Sequence, residues 1–244
     1  MASDNWQERT ELLIGKQKVQ QLRKASVLVA GLGGVGGFAA EMLCRAGIGK
    51  MTIIDADRFT TSNRNRQLGA LLSTQGKEKT EVFAKRLLDI NPDLKLKTIN
   101  EFIAGERIEE IAASTFDYIV DAIDTLAPKI YLIYHALQNK QKLISSMGAG
   151  GKTDPSRIQV VDFSKTHNDK LARMLRKRLH KMGVYSGFKV VFSAESIDKQ
   201  SVKHIDNEKN KKTTVGTISY MPMMFGAYMA AEVIRDLTGL TTAK

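Results

Sequence analysis

Four glycines in the run Gly31-Leu-Gly33-Gly34-Val-Gly36 follow the β-branched residues 26–31 (SVLVAG) and open a stretch of helical character at 35–46 (VGGFAAEMLCRA). In a strand–turn–helix of this kind, backbone amides approach a phosphate at the positive end of the helix dipole. Asp55, 24 residues beyond Gly31 and at the end of a second apolar run, stands where a carboxylate accepts ribose hydroxyls. The spacing GxGxxG is also met in plain packing turns. A nucleotide held here is at this point either NAD or ATP.

The residues beyond Asp55 separate the two. Asp55-Ala-Asp57 leads into Thr61-Ser62-Asn63-Arg64-Asn65-Arg66-Gln67, a dense polar and cationic stretch. A dinucleotide needs little of this, whereas a triphosphate attacked at its α-phosphate needs cations on the departing pyrophosphate. Arg66 suits that task, because a guanidinium holds two phosphate oxygens at once. Lys79 shares a helical face with Phe83 and Leu87 at four-residue spacing, so its charge points inward, either to a ligand or with its stem covering apolar surface. In FDYIVDAID, Asp121 and Asp124 lie at the end of an apolar run. Asp121 reads as a helix cap and Asp124 as a magnesium ligand bridging phosphates.

These residues need a scaffold that delivers them to one edge. Apolar runs at 51–57, 94–100, 116–124 and 142–148 read as strands, and 77–92, 105–113 and 128–139 as helices. The alternation predicts an α/β fold with a Rossmann-like, mainly parallel sheet and helices on both faces. Additional strands at 157–164 and 188–196 continue it in the C-terminal half, with a basic helix over 171–181 between them. The polar, aperiodic residues 198–214 predict a mobile loop, and 220–239 a terminal helix stopped at Gly239.

The chain has 244 residues, 43% hydrophobic and 26% charged, so disorder and small disulfide scaffolds are excluded. A net charge of +11 favours a polyanionic partner. Cys44 is the only cysteine, which excludes an internal disulfide, a four-cysteine zinc site and a CxxC redox pair. It lies in an Ala-rich apolar stretch and reads as packing. His135, His167, His180 and His204 have no metal-ligand spacing. No signal peptide or membrane span is legible, and the composition predicts a cytoplasmic protein without stable membrane insertion.

Taken in order, GLGGVGG, IDAD, SNRNRQ, GKEK and DAIDT resemble the ThiF/MoeB adenylating family, relatives of ubiquitin-activating enzymes. The resemblance covers nearly the whole chain. Within the family, residues 146–166 (SMGAGGKTDPSRIQVVDFSKT) are similar to the bacterial tRNA threonylcarbamoyladenosine dehydratases. It implies a segment 1–24 that reaches a partner subunit and one adenylating domain over 25–244. It also implies ATP and magnesium, with Gly31, Gly33, Gly34 and Gly36 along the phosphates and Asp55 or Asp57 on the ribose, Asp57 being the usual choice. Asn63, Arg66, Gln67 and Lys79 would surround the triphosphate, Asp124 would hold the metal, and Arg9 would act in trans across a homodimer. A sodium or potassium ion at the Gly148-Ala149-Gly150-Gly151 loop beside Asp154 and a sulfur-mobilisation accessory protein belong to the same implication.

The departures matter too. No cysteine stands in the second half to accept a thioester, which agrees with an adenylate that cyclises on its own substrate and with the absence of zinc. Residues 161–212 carry 13 Lys and Arg against 6 Asp and Glu. Arg173, Arg176, Lys177, Arg178 and Lys181 crowd the basic helix and would contact tRNA phosphates. The expected activity is ATP-dependent adenylation and cyclising dehydration of threonylcarbamoyladenosine in tRNA. Adenylation of a ubiquitin-like sulfur carrier's C-terminal glycine, an NAD-dependent oxidoreductase and a non-catalytic adaptor are the alternatives.

Overall fold

A computed structural model describes residues 5–204 and 213–240. Two short helices, α1 (Glu8–Ile14) and α2 (Lys16–Lys24), precede strand β1 (Ser26–Ala30), helix α3 (Gly36–Arg45) and β2 (Lys50–Ile54). Then come α4 (Lys79–Ile90), β3 (Lys95–Ile99), α5 (Glu106–Ala113), β4 (Tyr118–Asp121), α6 (Leu126–Gln138) and β5 (Leu143–Ser146). The C-terminal half adds β6 (Ile158–Asp162), α7 (Lys170–Leu179), β7 (Lys189–Ser193), the short β8 (Val202–His204) and β9 (Thr213–Val215), and α8 (Tyr220–Thr238).

Seven strands form one sheet in the order β3-β2-β1-β4-β5-β7-β6, parallel throughout except for β6, which runs antiparallel to β7. The alternation of strand residues sorts them onto two faces. Val27 and Val29 of β1 pack with residues of α3, α4 and α8, while Leu28 and Ala30 pack with α5, α6 and α7. Burial on both faces is why the parallel strands read as unbroken apolar runs. Leu22 of α2 joins the first core, so the N-terminal segment is tied to the sheet by its second helix.

The strand runs end earlier than their apolar stretches suggest. β2 stops at Ile54 and β4 at Asp121, and just beyond these ends the carboxylates of Asp55 and Asp121 accept backbone amides of the turns that follow. The stretch 198–214 departs from the expected loop: β8 and β9 pair antiparallel, with Val202 opposite Val215. Three-residue strands are too short to show periodicity in sequence. The part of that expectation falling on 205–212 lies outside the described residues. Gly239, in the left-handed conformation at φ +64°, ends α8 as expected.

Candidate active site

The strand order reverses between β1 and β4, and at that switch point a parallel sheet opens a crevice beyond its carboxyl edge. A cleft of about 870 Å³ lies there, reached by Gly31, Gly33 and Gly34 after β1, Asp55 and Asp57 after β2, and Asp124 after β4. Asn63, Arg66, Gln67 and Lys79 line it as well.

The glycines divide by task. Gly31 has φ +90°, and a β-carbon there would lie 2.7 Å from the Ala122 carbonyl oxygen. At Gly36 a β-carbon would come within 1.8 Å of the Gly31 carbonyl oxygen, so Gly36 packs α3 onto the turn and is not among the residues lining the cleft. Gly33 is different: a β-carbon would meet nothing nearer than Gln67 Nε2 at 3.9 Å. Space kept open at Gly33 faces the cleft, as a phosphate cradle requires. Nearby, Gln67 Oε1 is buried with no hydrogen-bond donor among the described residues.

The two acids after β2 are unlike. Asp55 accepts the Leu32 N–H at 2.6 Å and the Asp57 N–H at 2.8 Å, bracing the glycine turn. Burial raises its pKa, with the Lys79 charge and these two amides opposing. Asp57 is 73% exposed in its side chain and turned to the cleft, with the Lys79 ammonium 2.8 Å away. Lys79 begins α4 and points inward with Phe83 and Leu87, as its spacing predicts; its Nζ also lies 3.4 Å from Asp55.

Arg66 donates from Nη1 to the Ser62 carbonyl at 2.8 Å and to Asn65 Oδ1 at 2.7 Å, which aims the guanidinium. Burial lowers its pKa, and the facing charge of Asp124 pulls the other way. Asn63 Oδ1 accepts the Thr60 N–H at 3.1 Å, fixing the turn that carries Arg66. Asp124 is exposed, with the Thr125 hydroxyl donating to it at 3.4 Å.

Asp121 does not cap the following helix. Thr125 is at the N-cap, and Asp121 is fully buried against Lys129 Nζ at 2.7 Å, accepting also from the Ser145 hydroxyl and the Ile123 N–H. Lys129 in turn donates to the Ile123 carbonyl at 3.1 Å, so this pair clamps the loop bearing Asp124. A lysine inside the apolar helix LAPKIYLIYHAL was the available signal. Phe102 and Arg58 also line the cleft, and no motif marks either of them.

Arg9 is exposed on α1 and does not line the cleft of its own chain. Of the basic residues at α7, Arg173, Lys177, Arg178 and Lys181 are exposed. Arg176 is turned inward to the Thr166 carbonyl and hydroxyl and lies over the Phe163 ring, so its guanidinium is not presented with the others. Asp154 accepts from the N–H and hydroxyl of Ser156, both at Oδ1. Cys44 is fully buried and its thiol is pushed up to about 11 by burial, fitting the packing role.

Sheet topology, glycine turn and polar rim together define a Rossmann-like nucleotide-binding protein. The chain belongs to the ThiF family, whose sequence profile matches residues 7–244. It is 40% identical over 236 residues to the tRNA threonylcarbamoyladenosine dehydratase of Bacillus subtilis, spanning 94% of this chain and 93% of that one. The crystal structure of E. coli tRNA N6-threonylcarbamoyladenosine dehydratase, TcdA, in complex with ATP superposes with a TM-score of 0.88 at 34% identity, covering 98% of this chain and 97% of that one. The corresponding complex with AMP gives 0.87 at 33% identity over 98% of each chain.

Proposed function

We propose that this chain is an ATP-dependent tRNA threonylcarbamoyladenosine dehydratase. One observation carries the reading: a cleft that gathers an open amide turn at Gly33 with Lys79, Arg66 and Asp124, in a chain 40% identical to a dehydratase of that name over nearly its full length. The ATP and AMP complexes of the E. coli relative support ATP as the first reactant.

In the first step a threonyl carboxylate oxygen attacks the α-phosphorus, the bond to the bridging oxygen breaks, and pyrophosphate leaves. Lys79 and Arg66 stabilise charge that builds on the phosphates as that bond opens, and the amides at Gly33 and Gly34 orient them. Asp57 accepts ribose hydroxyls, and Asp55 braces the turn. In the second step a nucleophile of the same modification attacks the acyl carbon and AMP leaves, so the base has lost one water. No enzyme thiol is needed, which suits a chain whose one cysteine is buried.

Magnesium fits as a metal held mainly by phosphates. Among the described residues, no three His, Cys, Asp or Glu gather to form a protein cage. One exposed carboxylate, Asp124, at the cleft that would receive the phosphates matches the habit of that ion. When bound, it would neutralise charge on the departing pyrophosphate.

The reading includes a homodimer in which Arg9 serves the partner's nucleotide. It is supported by α1, which buries no residue and leaves Leu12 and Leu13 80% and 83% exposed. A sulfur-mobilising accessory protein would act on this dimer. No described helix is long and apolar enough to cross a membrane, and a cytoplasmic site of action belongs to the same proposed reading. ATP–pyrophosphate exchange tests the substrate. Stimulation by threonylcarbamoylated tRNA is expected, with none from unmodified transcript; stimulation only by a carrier protein ending in glycine would replace tRNA as the substrate.

A further inference from the structure

The nucleotide cleft and the basic helix are joined by buried charge that adenylation does not use. Lys152 comes just after the loop whose Ala149 and Gly150 line the cleft, and its side chain is completely withdrawn from solvent. Its ammonium donates to Asp169 Oδ2 at 2.9 Å and to the Ser193 carbonyl at the end of β7. The other Asp169 oxygen accepts the Ala172 N–H at 2.8 Å, which caps α7. One carboxylate thus holds the cleft loop with one oxygen and the first turn of the basic helix with the other.

Neighbouring contacts stiffen the loop. The Thr153 N–H and hydroxyl and the Asp154 N–H all donate to Glu195, each at 3.0 Å. Gly151 N–H reaches the Gly216 carbonyl at 2.7 Å, and the Tyr220 hydroxyl reaches the Thr153 carbonyl at 2.8 Å. Apolar side chains of similar volume fill such a space without the cost of dehydrating two charges, so a buried pair is a poor source of stability. What it imposes is geometry, because neither charge tolerates separation from the other.

We propose that Lys152 and Asp169 are positioning residues that set the basic face of α7 in register with the nucleotide cleft. A tRNA held on Arg173, Lys177 and Arg178 then presents its carboxylate to the α-phosphate. The inference rests on the proposed adenylation of tRNA at that cleft. Coupling through such contiguous contacts is read by whether a ligand at the cleft changes the first turn of α7.

The test uses the full chain and the pair Lys152→Met/Asp169→Asn, in which Met fills the lysine's volume and Asn keeps an acceptor for the cap. Amide exchange over 170–179 is measured with and without ATP and magnesium, beside ATP affinity, tRNA affinity and the rate of water loss. In the wild type, ATP slows exchange in the first turn of α7 several-fold. In the variant that response is absent and kcat falls about tenfold, while both affinities stay within about threefold. A variant with wild-type response and kcat would overturn the inference, as would one that loses ATP binding and exchanges faster throughout, the mark of a purely structural pair. Wild-type protein that dehydrates tRNA without any ATP response in α7 would sink this inference alone. Wild-type protein that binds no ATP would remove the adenylation reading, and the inference with it.

Discussion

Lys79 sets burial against charge at a single position. Its ammonium is shielded from solvent and held between Asp57 at 2.8 Å and Asp55 at 3.4 Å, so in the proposed reaction a triphosphate would compete for a cation already in place. Lys79→Ala is expected to lower kcat/KM for ATP-dependent pyrophosphate release by about 10²–10³; an unchanged rate would remove it from the chemistry. The glycines give a paired test. Gly33→Ala meets open space in the free protein, so its melting temperature should stay close to wild type while ATP binding weakens about tenfold or more, read by titration calorimetry. Gly36→Ala collides with the Gly31 carbonyl and should cost about 3 kcal/mol or more in denaturant unfolding. Much of this was legible: inward lysine spacing and the glycine turn are local signals. The Asp121–Lys129 pair was not, because its partners are eight residues apart across a turn and only the folded chain turns one toward the other.

At the scale of elements, Glu41 ties α3 to α4 through Arg86 and to its own helix through Arg45, whose Nε lies 2.9 Å away. Burial alone would raise its pKa, but the hydrogen bonds from Arg86 and Arg45 outweigh burial and hold it below the ordinary 4.5. A carboxyl depressed in the folded state binds fewer protons there than in the unfolded chain. Its stabilisation is therefore fully present above pH 4.5 and lost as pH falls through the lower folded value. With the half-exposed guanidinium groups discounted, Glu41→Gln should destabilise by about 1–2 kcal/mol at neutral pH. Thermal melts should show that gap closing in acid; a gap independent of pH would contradict the assignment. The helix α7 carries the other element-scale expectation. Replacing Arg173, Lys177 and Arg178 by Ala should reduce the slope of log K for tRNA against log salt by about 2 and leave ATP affinity intact. Arg176 is left out because it is engaged at Thr166. Crowding of like charges marked the helix in sequence, but which of its cations packs inward depends on Phe163 and Thr166, ten or more residues away.

For the whole molecule, long apolar runs and their alternation with helices made the parallel sheet readable, since strands buried on both faces leave a strong local trace. The β8–β9 pair left none, being stabilised by partners rather than by its own pattern. The proposed homodimer makes its own prediction at the exposed apolar residues of α1. Leu12→Asp/Leu13→Asp should shift sedimentation from dimer to monomer and depress ATP turnover with it; a monomeric wild type would exclude the role of Arg9 in trans. The proposed dehydration is observed by incubating the protein with ATP, magnesium and tRNA bearing threonylcarbamoyladenosine, then analysing gently digested nucleosides by mass spectrometry. The expected result is an ATP-dependent loss of one water from that nucleoside, absent with Lys79→Ala. An unaltered nucleoside in the presence of bound ATP would contradict it.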